Sequence, residues 1–273
     1  MDIRLQAETG AGMEDHLFDR RQRLNHFRVK TILFSLVTIV FVISASSSMD
    51  SANGNEAKSA LRSFLREFIT RNATTIGNST QLIFVTNRDA SSFSVGIDFL
   101  EKNGGLWKIV FPRVNATIGE KGFASLNKKK EGDRRSPTGI FRLGTAFGYG
   151  PSVATKMPYR QATEEDFWVD DVDSEDYNKW VRGPPKAASA EKMKREDGLY
   201  KYGIVIEYNT DPVIKGRGSA IFLHRWGGRG RPTLGCVATP EGNVLRLLEW
   251  LDPAKKPLII LGTEAELRTL RSQ

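Results

Sequence analysis

The chain contains a single cysteine, Cys236, and a histidine twelve positions upstream of it, His224. The other two histidines, His16 and His26, lie close to the N-terminus. A thiol with its ordinary pKa of about 8.5 is only a few per cent thiolate at neutral pH, and the thiolate is the nucleophilic form. A neighbouring imidazole can take the proton, which gives a thiolate–imidazolium pair and lowers the thiol pKa by several units. These residue types therefore predict nucleophilic catalysis, with Cys236 as the nucleophile and His224 as base and then acid.

Either residue taken alone has an ordinary structural interpretation. A single cysteine is commonly a buried apolar side chain, and a single histidine is commonly a hydrogen-bonded structural group. These two are the only cysteine and the only histidine after residue 48, and they flank one glycine-rich turn, which favours chemistry. One cysteine also excludes an intramolecular disulfide and a multi-cysteine zinc site, so neither a metal nor a cofactor is expected.

The sequence around the two residues is suited to bringing them together. Residues 220–223 are an apolar run typical of a strand buried on both faces, and this strand would carry His224 at its end. A loop over 225–232, rich in glycine and arginine, then turns the chain back to Cys236. This order of strand, loop and turn can place the imidazole within hydrogen-bond reach of the thiol.

Gly235, directly before the cysteine, has a separate expected role. Backbone N–H groups of Gly235 and Cys236 can point at a developing oxyanion, because glycine adds no side chain that would block them. The hydroxyl of Thr233 is expected to support this turn. A helix is predicted soon afterwards, with Thr239 as its cap and Pro240 in its first position. Its apolar stripe consists of Val244, Leu247, Leu248 and Leu251.

Outside this stretch the apolar pattern predicts a mainly β domain with few helices. Runs at 82–85, 106–111 and 258–261 have the length and composition of strands. A short helix is predicted earlier in the chain by residues that recur at helical spacing, namely Leu61, Phe64, Leu65 and Phe68.

The segment over 163–197 is polar and is expected to be irregular, with Trp168 and Trp180 as anchors. A loop of that length inside a compact domain is usually functional or a lid. Its acidic residues could suggest calcium, but a loop counted from Asp171 has Asp176 where an EF-hand needs glycine. A solvated acidic loop is therefore the favoured interpretation.

The N-terminal part has the layout of a targeting segment. Arginines and lysines within 1–30 precede the uncharged run 31–43, and small residues follow at 44–48. The run is short for a membrane span of about 20 residues, while the long basic region keeps a signal-anchor open. The chain is therefore expected to be secreted, or membrane-anchored with its catalytic domain outside the cytoplasm. The expected division is a basic tail (1–30), a signal peptide or signal-anchor (31–48), a spacer with a short helix (49–80), the catalytic domain (81–263) and a C-terminal tail (264–273).

Three arginines, Arg225, Arg229 and Arg231, lie between the histidine and the cysteine. One or more of them could anchor a substrate carboxylate through paired hydrogen bonds, and a solvated basic loop is the alternative. The formal net charge of +8 fits an anionic partner such as a cell-wall polymer or a membrane surface without selecting one. Export argues against a nucleic-acid partner.

The stretch around the cysteine resembles the L,D-transpeptidase catalytic domain (YkuD-type) family, which carries a His, a loop and then Ser/Thr-x-Gly-Cys before a hydrophobic residue. The matching residues are His224, Thr233, Gly235, Cys236 and Val237. Upstream, residues 132–141 (GDRRSPTGIF) resemble the family's GD..TP.G.F segment, with Ser136 where the family often has Thr. Many members have His where this chain has Leu234, and Arg or Asn where it has Ala238. The resemblance covers about 100–262.

This resemblance implies an L,D-transpeptidase-like β-sandwich or barrel with few helices, and a covalent acyl-enzyme on the cysteine. In the family a backbone carbonyl orients the histidine. Bacterial members attack the carbonyl between an L-centre and a D-residue of a peptidoglycan stem peptide, and an amine or water then takes the acyl group. The expected function is an exported cysteine acyltransferase acting on a peptide or peptidoglycan-like substrate. A non-catalytic cell-wall or glycan-binding module and a cysteine hydrolase of other amides are the alternatives.

Overall fold

The computed structural model describes residue 59 and residues 61–270. The strands among these described residues all lie in one compact unit, 66–273. The α-helices among the described residues are α1 (61–71), α2 (Ala73–Ile76), α3 (Glu241–Trp250) and α4 (Glu264–Thr269), with a 3₁₀ turn at Pro253–Lys255. The strands are β1 (Gln81–Asn87), β2 (Ser94–Asn103), β3 (Leu106–Thr117), β4 (Gly139–Gly148), β5 (Tyr159–Gln161), β6 (Asp166–Val169), β7 (Trp180–Arg182), β8 (Ala190–Lys192), β9 (Tyr202–Ile206), β10 (Phe222–Arg225), β11 (Val237–Thr239) and β12 (Leu258–Thr263).

Most of these strands form one closed, barrel-like sheet. Neighbouring strands follow the order β12-β1-β2-β3-β11-β10-β9-β4, and β4 pairs in turn with β12, which closes the ring. β5 adds to β4 as a parallel neighbour. Two neighbouring pairs within the ring, β1–β12 and β10–β11, are also parallel. The mainly β architecture with few helices, predicted from the sequence, is confirmed.

The main hydrophobic core joins α3 to the sheet. The predicted apolar stripe of α3 is buried in full: Val244, Leu247, Leu248 and Leu251. These side chains share a cluster with Ile83 and Val85 of β1 and with Ile259 and Leu261 of β12. Burying an aliphatic side chain of this size contributes about 1.5–3 kcal/mol. The core therefore fixes the sheet whose strands carry the cysteine and the histidine.

Helix α3 begins one residue later than predicted. Pro240 is its N-cap and makes no side-chain capping hydrogen bond. Thr239 is the last residue of β11, and its hydroxyl donates to the Asn115 carbonyl at 2.9 Å. The cap prediction was wrong because the parallel pairing of β11 with β10 keeps Thr239 in the sheet.

The segment predicted to be irregular contains a second, smaller sheet. β6 pairs antiparallel with β7 on one side and with β8 on the other, and we call these three strands the lid sheet. Trp168 of β6 is buried and lies edge-on to Phe222, with 4.9 Å between ring centroids. Trp180 of β7 lies edge-on to Phe147 at 5.9 Å. The prediction of irregular structure was wrong because strands of three or four residues are too short to show a periodic pattern.

The predicted short helix is present as α1, and Phe68 on it packs edge-on against Phe84 of β1, with 5.3 Å between centroids. Within residues 59 and 61–270, the helices all fall short of the length and apolar character that crossing a bilayer requires. The predicted signal or anchor over 31–48 lies outside the described residues.

Candidate active site

The cysteine and the histidine lie on adjacent parallel strands. His224 is the third residue of β10, and Cys236 directly precedes β11. The pairing of Leu223 with Val237 places Cys236 beside Phe222, whose N–H donates to the cysteine Sγ at 3.3 Å. Because alternate residues of a strand share a face, Cys236, Phe222 and His224 point to the same side of the sheet. Both reactive groups line one cavity of about 520 Å³.

His224 is buried and held by a backbone carbonyl. Its Nδ1 lies 2.6 Å from the Arg225 carbonyl oxygen, and since a carbonyl only accepts, Nδ1 carries the proton. Burial lowers the pKa of His224 to about 4, although hydrogen bonding to the carbonyls of Arg225 and Leu199 acts in the opposite direction. At neutral pH the ring is therefore neutral, and Nε2 is the nitrogen that can accept a proton.

The thiol of Cys236 is protonated at rest. Its Sγ donates to the Ala220 carbonyl at 3.1 Å. Burial, followed by the charge of Glu191, raises the pKa of Cys236 to about 12, against the opposing effects of the Phe222 N–H, Tyr200 and Lys129. The sequence predicted that the imidazole can take the thiol proton and give a thiolate–imidazolium pair. In the resting state burial disfavours the charged form of both groups, so the proton stays on the sulfur.

Two hydroxyl groups fix the turn that presents the cysteine. Thr233 Oγ1 donates to the Cys236 carbonyl at 2.6 Å and accepts the Gly235 N–H at 3.1 Å. Ser136 Oγ donates to the Gly235 carbonyl at 2.6 Å and accepts the Gly119 N–H at 3.0 Å. The Gly235 N–H, predicted as an oxyanion donor, thus already donates to Thr233. From the sequence, Ser136 was named only as part of the 132–141 motif and was given no role in the site. Its place in that motif was the one sequence feature that could have pointed to this role.

The motif upstream of Ser136 is organised by a buried ion pair. Asp133 accepts hydrogen bonds from the N–H groups of Lys130 and Arg135, and the ammonium of Lys129 lies 2.6 Å from its Oδ1. Lys129 is only 4% exposed and lines the same cavity as the cysteine. Its charge is the buried cation that lowers the pKa of Cys236. Sequence reasoning gave Lys129 no role.

A family model describes this region of the chain. The model of the L,D-transpeptidase catalytic domain, YkuD, matches residues 98–260, which is more than half of the chain. The chain belongs to this family. Comparison with curated proteins and with solved structures found no match.

The cavity of this L,D-transpeptidase family member is lined by five of the predicted site residues: His224, Arg231, Thr233, Gly235 and Cys236. Arg231 is exposed there. Arg225 instead forms an ion pair with Glu241 at 3.7 Å and donates to the Gly198 carbonyl, and Arg229 is exposed away from the lining. The substrate-binding role of the three arginines stays a prediction.

Charged groups of both signs and one apolar group border the same L,D-transpeptidase-type cavity. The basic residues are Lys129, Arg134, Arg195 and Arg231, and the acidic residues are Glu131, Asp170 and Glu191. Leu234, where many family members have His, is 72% exposed beside the cysteine. Among the residues that the structure describes, three or more His, Cys, Asp or Glu side chains are nowhere grouped so as to hold a metal ion.

Proposed function

We propose that this L,D-transpeptidase family member is a cysteine acyltransferase, with Cys236 as the nucleophile and His224 as the base. The observation that carries the proposal is the register of β10 and β11, which sets both side chains on one face and in one cavity. The hydroxyls of Thr233 and Ser136 support it, because they hold the turn on both sides of the cysteine.

Acylation begins when the substrate carbonyl carbon meets Sγ of Cys236. As the S–C bond forms, the thiol proton moves to Nε2 of His224, and the Cys236 N–H donates to the oxygen that becomes negative. The imidazolium then gives this proton to the leaving amine as the C–N bond breaks, which leaves a thioester. An acceptor amine or water attacks the thioester, His224 takes its proton, and the thiol is restored when the C–S bond breaks.

The neutral resting pair affects the timing of these steps. A thiol whose pKa is about 12 and an imidazole whose pKa is about 4 do not exchange a proton before the substrate arrives. Proton transfer therefore accompanies attack on the carbonyl, as in general-base catalysis. The rate of acylation should accordingly stay constant as the pH falls through 6.5 and decrease only near pH 4, where His224 becomes protonated.

The proposed substrate is a peptide of the peptidoglycan stem type. The mixed charges of the cavity suit a peptide that carries both carboxylate and ammonium groups, and Leu234 offers an apolar contact beside the scissile bond. On the strength of the sequence pattern over 31–48, the proposal also sets the catalytic domain outside the cytoplasm, either secreted or anchored in a membrane.

A matched peptide pair tests the substrate assignment. The full chain is incubated with a stem-like peptide that has an amide bond from an L- to a D-residue, with the all-L peptide as control, and glycine as the acceptor amine. We expect mass spectrometry to find the exchanged product from the L,D peptide alone, and none with Cys236→Ala. Cleavage of both peptides to free acids would favour the hydrolase. Polymer binding without any product would favour the binding module.

A further inference from the structure

Tyr200 lies between the catalytic pair and the lid sheet. Its ring is edge-on to the imidazole of His224, with 5.1 Å between ring centroids, and it is 5% exposed. Its hydroxyl donates to Oε2 of Glu191 at 2.5 Å, and Glu191 is the middle residue of β8 in the lid sheet. This single side chain therefore connects the histidine to a carboxylate contributed by another element.

Tyr200 also lies beside the nucleophile. It belongs to the same buried cluster as Cys236 and Phe222, and it lines the same cavity. The nearby hydroxyl of Tyr200 acts to lower the pKa of Cys236, whereas the charge of Glu191 raises it. The two partners of one short hydrogen bond thus act on the sulfur in opposite directions.

We propose that Tyr200 is a positioning residue for the Cys236–His224 pair, and that Glu191 orients its hydroxyl, so that the lid sheet takes part in setting the reactive geometry. The ring limits the rotation of the imidazole, and the hydrogen bond to Glu191 fixes the ring. This inference rests on the proposed function only in taking Cys236 as the nucleophile.

Several charged groups surround Glu191 and Tyr200, so a test has to separate the effect of these two residues from the effect of their charged neighbours. Glu191 faces the guanidinium of Arg195 at 3.9 Å, and Arg195 lies over the ring of Tyr200. Asp170 and Glu131 also act on Glu191, and both raise its pKa less than burial does. Lys129 and His224 line the same cavity from outside the lid sheet, and the charge of Lys129 lowers the pKa of Cys236.

Two nearly isosteric variants, Tyr200→Phe and Glu191→Gln, test the proposal in the full chain. The controls are Tyr202→Phe, which removes a hydroxyl from β9, and Glu164→Gln, which removes a carboxylate that is 70% exposed. Iodoacetamide alkylation of Cys236 is measured against pH, because it reports the thiolate without needing a substrate. The maximal rate and half-saturating concentration of acylation by a carbapenem are measured separately.

We expect alkylation at pH 8 to become slower in Tyr200→Phe and faster in Glu191→Gln. The change should be about threefold for each unit that the thiol pKa moves, since a tenfold change in thiolate is partly offset by nucleophilicity. Acylation by the carbapenem should lose about tenfold in maximal rate in Tyr200→Phe and about threefold in Glu191→Gln, which keeps the Tyr200 ring but loosens its hydroxyl, with an unchanged half-saturating concentration in both. Both control variants should match the parent.

Equal maximal acylation rates in Tyr200→Phe and Tyr202→Phe would overturn the positioning role. An equal maximal acylation rate in Glu191→Gln and in Glu164→Gln would overturn the role of the carboxylate, and this variant decides the matter if Tyr200→Phe melts early. Because iodoacetamide modifies an accessible thiol whatever the natural substrate, a failure of the L,D-peptide assignment would leave the alkylation results interpretable.

Discussion

The turn over 233–236 and the lid sheet border the same cavity but are held by different forces. In the turn, the hydroxyls of Thr233 and Ser136 bond to backbone carbonyls and N–H groups within a few residues of Cys236. Such contacts fix backbone atoms directly, so that the sulfur and the Cys236 N–H keep a constant relation to each other. Hydroxyl groups from both sides, Thr233 nearby in the chain and Ser136 distant from it, therefore define the geometry of this turn.

The lid sheet is held by a buried carboxylate and by aromatic rings. Asp166 accepts hydrogen bonds from the Thr163 N–H and hydroxyl, from the Trp180 indole and from Arg160. Trp168 adds its edge-on contact with Phe222. The partners of Asp166 are close to it in the chain, whereas the contact between Trp168 and Phe222 joins the lid sheet to a distant strand of the main sheet. The comparison teaches that the turn fixes the backbone of the nucleophile, whereas the lid sheet acts on the side chains around it, through the contact of Glu191 with Tyr200.

The largest effect is expected from Gly235→Ala. Gly235 has φ of +156°, and an added Cβ would lie 3.2 Å from both the Arg135 carbonyl oxygen and Cδ1 of Ile221. A shift of about 1 Å in a reacting group can cost about a hundredfold in rate, and we expect that loss in acylation of Cys236. Gly227→Ala is the control, because its Cβ would have only ordinary contacts at 3.5 Å. An equal loss of acylation rate in the two variants would show that the backbone at Gly235 is no more important for the reaction than the backbone at Gly227.

A smaller effect is expected from Ser136→Ala. This change leaves the buried Gly235 carbonyl and Gly119 N–H without their hydroxyl partner, which should cost about 1–3 kcal/mol in free energy of unfolding. We expect urea unfolding to report this loss, and acylation to slow about tenfold. Ser136→Thr, which keeps the hydroxyl, should restore the rate. Full activity in Ser136→Ala would mean that the turn is rigid without this residue.

The smallest effect on chemistry is expected from Asp166→Asn. Burial would raise the pKa of Asp166, but hydrogen bonds from Thr163, Trp180 and Arg160 outweigh it and lower the pKa to about 2. Because the folded pKa lies below the ordinary value of 3.8, this carboxylate stabilises the fold above pH 4, and the contribution is lost as the pH falls from about 4 to 2. We expect the variant to melt earlier at pH 7, to lack this acid transition, and to keep acylation within about threefold of the parent. A hundredfold loss of acylation would show that the lid sheet positions the nucleophile as strongly as the turn does.

The sequence predicted the parts that depend on local order. Residue types at fixed spacing predicted the turn at Gly235 and Cys236, the hydroxyl support from Thr233 and the strand that carries His224. That strand begins at Phe222, later than predicted, because Ala220 adopts a left-handed conformation with φ of +53°. Runs of apolar residues likewise predicted the strands of the main core and the stripe of α3.

The rest depends on tertiary contacts that one sequence does not display. The strands of the lid sheet are too short for a periodic pattern. Lys129 lines the cavity of Cys236 and Tyr200 contacts His224, and in each case the two residues are distant in the chain. The neutral state of Cys236 and His224 depends on how deeply each is buried, which spacing does not reveal.

The central claim is that Cys236 is a nucleophile served by His224. The most direct measurement is the intact mass of the full chain after exposure to a carbapenem, alongside the Cys236→Ala and His224→Ala variants, since the family resemblance implies acylation of the catalytic cysteine by such compounds. We expect one adduct on the parent, none on Cys236→Ala and a much slower one on His224→Ala. A folded parent that stays unmodified, or an adduct that survives in Cys236→Ala, would contradict the claim.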